Sequence, residues 1–97
     1  MNSISIRRKH GLSPEAARAI AEEVIANLAK EYDAETRWDG DTLHFERTGA
    51  NGTMRLKGDS IRIEIKLGMM FVMMRNAIQR EIEKELDQRI AAAKDED

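Results

Sequence analysis

Between Ser3 and Arg8 apolar and polar residues alternate, with Ile4 and Ile6 to one side and Ser3, Ser5 and Arg7 to the other. A period of two is that of a half-buried strand. Leu12-Ser13-Pro14-Glu15 then reads as a helix start: Ser13 can cap free amides, Pro14 has no amide to leave unpaired, and Glu15 complements the positive helix end. In the helix that follows, Ala17, Ile20, Ala21, Val24, Leu28 and Tyr32 recur at three- and four-residue spacing. Arg18, Glu22, Glu23, Asn27, Lys30 and Glu31 fill the remaining circumference, which makes it a surface helix with one buried stripe.

From Ala34 to Leu67 the period is again two, and turn residues divide the segment into four strands. Asp39-Gly40, between a Thr36/Trp38 face and a Leu43/Phe45 face, predicts a tight hairpin. Gly49-Ala50-Asn51-Gly52 and Gly58-Asp59 predict the two later turns, giving a four-stranded antiparallel meander. After Gly68 a segment to about Ala93 has no further Gly or Pro and places Phe71, Met74, Ile78, Ile82, Leu86 and Ile90 on one helical face. It predicts a single long C-terminal helix, followed by a charged tail at Lys94 to Asp97.

The order β-α-β-β-β-β-α, without repeat or linker, predicts one α+β domain over 1–97: an antiparallel sheet of about five strands packed by two helices. Element order alone suggests a helix-grip-like arrangement, with a ferredoxin-like variant as the alternative. The expected core comprises Trp38, Leu43, Phe45, Ile61, Ile63, Ile65, Phe71, Ile78 and Ile82.

The chain has 97 residues, 41% hydrophobic and 35% charged, enough apolar material for one core and no run long enough to span a membrane. Sixteen Lys and Arg against eighteen Asp and Glu leave a net charge of -2. With no overall positive field, a polyanion partner such as nucleic acid is disfavoured. The absence of cysteine removes disulfides and thiolate chemistry, and the first residues lack the apolar core of a secretion signal, so the expected compartment is the cytoplasm.

Candidate chemistry is sparse. The sheet face away from the helices should carry Glu35, Arg37, Asp39, His44, Glu46, Arg55, Lys57, Arg62, Glu64 and Lys66, a mixed surface that reads first as solvated. His44 and Glu46 share that face near Asp41, a spacing open to acid-base or weak metal chemistry, although exposed strand residues are the simpler reading. His10 after Arg7-Arg8-Lys9 suggests either a small basic anion site or, more simply, a solvated loop. No nucleophile motif, phosphate loop or nucleotide fingerprint occurs, so no catalytic, cofactor-binding or metal residue is assigned and the protein is expected not to be an enzyme.

Leu67-Gly68-Met69-Met70-Phe71-Val72-Met73-Met74 is apolar around the whole circumference for two turns, and one stripe cannot bury all of it. At about 100° per residue Phe71, Met74 and Ile78 point together, while Met69, Val72 and Met73 fall away from that direction. Packing by the first helix is one account of these three residues. An exposed interaction patch, for a second copy or an apolar surface, is the other.

The stretches Ile4-Ser5-Ile6-Arg7-Arg8-Lys9-His10, Arg37-Trp38-Asp39-Gly40-Asp41-Thr42-Leu43-His44-Phe45-Glu46-Arg47 with Gly49 and Gly52, Leu67-Gly68, and Ile82-Glu83-Lys84-Glu85-Leu86 resemble the polyhydroxyalkanoic acid system family. These are small bacterial proteins linked to storage-polyester metabolism and its granules, and the resemblance brings no catalytic residue. It implies an accessory or regulatory protein of polyhydroxyalkanoate metabolism. The partner would be a granule surface, a granule protein or a second copy in a homodimer, with neither nucleic acid nor a membrane span involved. The alternative is a small-ligand module holding an acyl or hydroxyacyl group in a cavity between sheet and C-terminal helix.

Overall fold

The structure, a computed structural model, describes residues 3–95. The elements are β1 (Ser3–Lys9), α1 (Pro14–Tyr32), β2 (Glu35–Asp39), β3 (Thr42–Arg47), β4 (Ala50–Lys57), β5 (Ser60–Leu67), α2 (Met69–Val72) and α3 (Arg75–Asp95). All five strands form one antiparallel sheet in the order β1-β5-β4-β3-β2. The α+β class follows as the two periodicities predict. A ferredoxin-like path would need two crossovers, and here only α1 makes one.

That crossover takes the chain from one sheet edge to the other. Nineteen residues of α1 reach about 28 Å at 1.5 Å per residue, more than the ~19 Å covered by four strand spacings. The helix starts as read: Ser13 Oγ accepts from the Ala16 amide at 3.2 Å, and Pro14 opens the first turn. It stops at Asp33, whose left-handed conformation (φ 57°) directs its N–H to the Ala29 carbonyl. On the buried side, Ile4, Ile6, Leu43, Phe45, Met54, Ile61, Ile63 and Ile65 meet Ile20, Val24, Ile25 and Leu28 of α1 and Ile78, Ile82, Leu86 and Ile90 of α3. Of the expected core only Trp38 stays half-buried, packed under the Arg18 guanidinium 3.8 Å from its ring centre.

Three boundaries differ from the sequence reading. The turn expected over Gly49–Gly52 is shorter, because β4 already begins at Ala50 and Gly52 pairs with Phe45 inside the ladder. A Cβ on Gly52 would lie 2.6 Å from both the Phe45 ring and the Glu64 carbonyl, so the ring occupies the space a side chain would need. Second, the long C-terminal helix is two helices. The Met74 amide bonds back to the Phe71 carbonyl, and α3 begins afresh when the Ile78 amide meets the Met74 carbonyl. Breaking there lets Phe71 turn into the core while Ile78, Ile82, Leu86 and Ile90 follow the sheet. Third, Lys94 and Asp95 of the expected tail are still helical, and Glu96 and Asp97 lie outside the described residues.

Candidate functional site

The apolar run after β5 becomes a mounted turn. The Gly68 amide donates to the Gly49 carbonyl at 2.7 Å, and the Phe71 and Val72 amides donate to the Gly68 carbonyl at 3.0 and 3.1 Å. Phe71 is its anchor. Its ring is buried, meets Tyr32 edge-on at 5.9 Å and lies under the Arg47 guanidinium at 4.9 Å. Arg47 is itself fixed, donating to the Tyr32 carbonyl at 2.7 Å and the Thr48 carbonyl at 2.9 Å, which also satisfies the C-terminal end of α1. Gly49 completes the seat: its φ of 86° suits glycine, and a Cβ there would press on the Phe71 ring at 3.3 Å.

With Phe71 turned inward, the methionines are turned out. Met69 is 90% exposed and Met73 92%, beside Met70 at 63% and Met74 at 43%. Two of the three residues in the expected patch, Met69 and Met73, are thus on the surface, and Val72 is half-buried. Met70 belongs with them, which helical periodicity did not single out. Met74 corrects the sequence reading, because the break at Met73 carries it away from the face shared by Phe71 and Ile78. The result is a flexible, polarizable apolar surface on a rigid base.

The polar candidates do not assemble into reacting sets. His44 and Glu46 lie on the open sheet face, His44 half-buried opposite Arg37 and Thr53, Glu46 exposed opposite Glu35 and Asn51. Among the described residues no group of three or more His, Asp or Glu side chains is placed to hold a metal ion. His10 does not sit in a solvated loop: it is 1% exposed, and its backbone amide donates to the Asp59 carbonyl at 2.7 Å. Its Nδ1 accepts from the Leu12 amide at 2.9 Å, which leaves the neutral ring's proton on a buried Nε2 without a partner among the described residues. Burial pushes the imidazole below its ordinary range, against the pull of Asp59 and with the help of Lys94. The basic run before it is split by strand alternation. Arg7 and Lys9 go to the open face, whereas Arg8 pairs with Glu83 and Asp87 of α3, each at 2.9 Å.

Room for an acyl ligand is small. The apolar space enclosed by Leu28, Tyr32, Phe45, Leu67, Phe71 and Ile82 amounts to about 40 Å³, against the ~300 Å³ at which ligand pockets begin. A roomier hollow of about 420 Å³ is an open depression lined by Asp33, Glu35, Glu46, Arg47 and Thr48.

Fold and turn together define a small two-layer α+β domain with an apolar tip held by an aromatic anchor. Residues 4–90 match the family described as "Putative polyhydroxyalkanoic acid system protein", and the chain belongs to that family. No curated protein and no solved structure matches the chain. No helix among the described residues is long and apolar enough to cross a membrane.

Proposed function

We propose that the protein is a non-enzymatic accessory of polyhydroxyalkanoate metabolism that adsorbs to the storage-polyester granule through Met69, Met70 and Met73, with Val72 at the margin. The description of the family, a polyhydroxyalkanoic acid system protein, supports that setting. The observation that carries the reading is the exposure of Met69 and Met73, 90% and 92%, on a turn whose base is fixed by Phe71, Arg47 and Gly49. A polyester surface offers apolar segments without fixed register, and methionine side chains adapt to such irregular contacts.

The test is co-sedimentation with purified granules. Fully burying one Met side chain contributes ~1.5–3 kcal/mol, so M69Q/M73Q should weaken adsorption by at least about tenfold. Its far-UV dichroism should stay native, because both side chains are on the surface. Undiminished adsorption of this variant would overturn the reading. Sedimentation velocity on the free protein reads the competing role of the same patch: a dimer that M69Q/M73Q dissolves would make a second copy its occupant.

A further inference from the structure

The register of the sheet sorts the charges of the open face, which composition alone had left evenly mixed. Arg7 stands directly opposite Arg62, and Arg62 directly opposite Arg55, so three arginines line up across β1, β5 and β4. One step along, Lys9 and Lys57 flank Ser60 in the same way. Like charges directly opposite across strands repel. Glu64 is the next residue along the same face of β5, yet among the described residues none of the five cations forms an ion pair. Five cations therefore occupy about 10 Å across the strands by about 7 Å along them.

We propose that this patch is a binding site for linear inorganic polyphosphate. The chemistry fits a chain of phosphoryl groups: guanidinium forks for paired oxygens, lysines as point charges, and the hydroxyls of Ser5 and Thr53 beside them. It does not fit a nucleotide base, because no aromatic side chain faces it: Phe45 and Phe71 are buried, Tyr32 is on α1 against Phe71, and Trp38 packs beneath Arg18. Nor does it fit a rod-like duplex, whose footprint would run over Glu64, Glu46 and Glu35 further along the same face. A headgroup layer would meet the same acids, and among the described residues the face offers no apolar side chain to insert beside the arginines.

Isothermal titration of the full chain with long-chain inorganic polyphosphate and with tripolyphosphate tests this. Binding should be steeply salt-dependent. R62Q should weaken it by about tenfold or more, since it removes a charge-assisted contact at the centre of the row. K66Q, at the other end of β5, should change it less than about twofold. E64Q, which removes the nearest acid on the same strand, should tighten it. R62Q should unfold at the wild-type denaturant concentration or higher, since it relieves repulsion. Failure to bind either phosphate chain, or equal affinity in R62Q, overturns the proposal. So does tighter binding of a nucleoside triphosphate than of tripolyphosphate, or tighter binding of duplex DNA than of polyphosphate, since either would show recognition of something besides the phosphate chain.

Discussion

Single residues in this chain do work that their immediate neighbours in sequence do not announce. His10 follows Arg7-Arg8-Lys9 and reads locally as solvated, but it is buried and its backbone amide is tied to the Asp59 carbonyl in the β4-β5 turn. Its pKa is held below its ordinary value by burial, so the unfolded chain takes up a proton first as pH falls through about 6.5. Between the two values the unfolded state binds more protons, and stability, complete above that range, declines as pH falls. The denaturant midpoint of the wild type should therefore drop as pH falls below about 6.5, and H10Q should flatten that part of the profile. Equal slopes in both proteins would place the acid sensitivity elsewhere. Gly52 is a second case, legible in sequence only as a turn residue. Because a Cβ there would meet both the Phe45 ring and the Glu64 carbonyl at 2.6 Å, G52A should cost ~1–3 kcal/mol as an overpacking change. On the open face, H44A and E46Q should stay within ~0.5 kcal/mol of wild type in the same titration. Stoichiometric zinc bound by the wild type and lost in H44A would contradict that assignment.

At the scale of elements, periodicity and turn chemistry carried most of the fold. The Asp39-Gly40 hairpin, the capped start of α1 and the alternating strands all rest on contacts within a few residues of one another, so each is visible locally. Periodicity also placed Phe71 and Ile78 on one face, and both are buried. The break between α2 and α3 was not visible, because its cause is long-range. Phe71 is drawn toward Tyr32 and Arg47, residues far earlier in the chain, and an uninterrupted helix would hold it to the direction of the α3 stripe. Gly49 and Gly68 touch across the base of the same turn, which gives both glycines a common purpose that neither showed alone. The anchor can be tested apart from the methionines. F71L keeps apolar bulk but loses the edge-on contact with Tyr32 and the Arg47 face, and should cost ~1–2 kcal/mol. Amide exchange should then accelerate first in Met69–Met74, with α3 little affected. Uniform acceleration throughout α3 would mean that the two helices unfold as one element.

For the whole molecule, the decisive information was strand order and register. Net charge of -2 argued against any polyanion, and Arg7 stood far from Arg55 and Arg62 in sequence; only the pairing of β1 with β5 brings the three together. The same geometry separates that patch from the methionine turn. Lys9, Ser60 and Lys57 mark one end of β5 and its neighbours, and the turn leaves from Leu67 at the other. Even from the arginine row at Arg62, five residues of strand amount to ~17 Å, beyond the screening length of about 10 Å at moderate salt. A protein seated on polyester by its methionines would therefore hold its basic row away from the granule. Nothing in the fold gives either ligand a preferred contact with one of two conformations, so the coupling free energy between the sites should be close to zero. M69Q/M73Q should bind polyphosphate with wild-type affinity, and R62Q should adsorb to granules as the wild type does. Saturating polyphosphate should shift granule adsorption of the wild type by less than about twofold. A larger shift in either direction would mean that the two surfaces communicate through the sheet, or that polyphosphate reaches the methionine turn directly. R62Q separates the two explanations: a shift that starts from the basic row is lost in this variant, whereas direct contact of polyphosphate with the methionine turn persists in it.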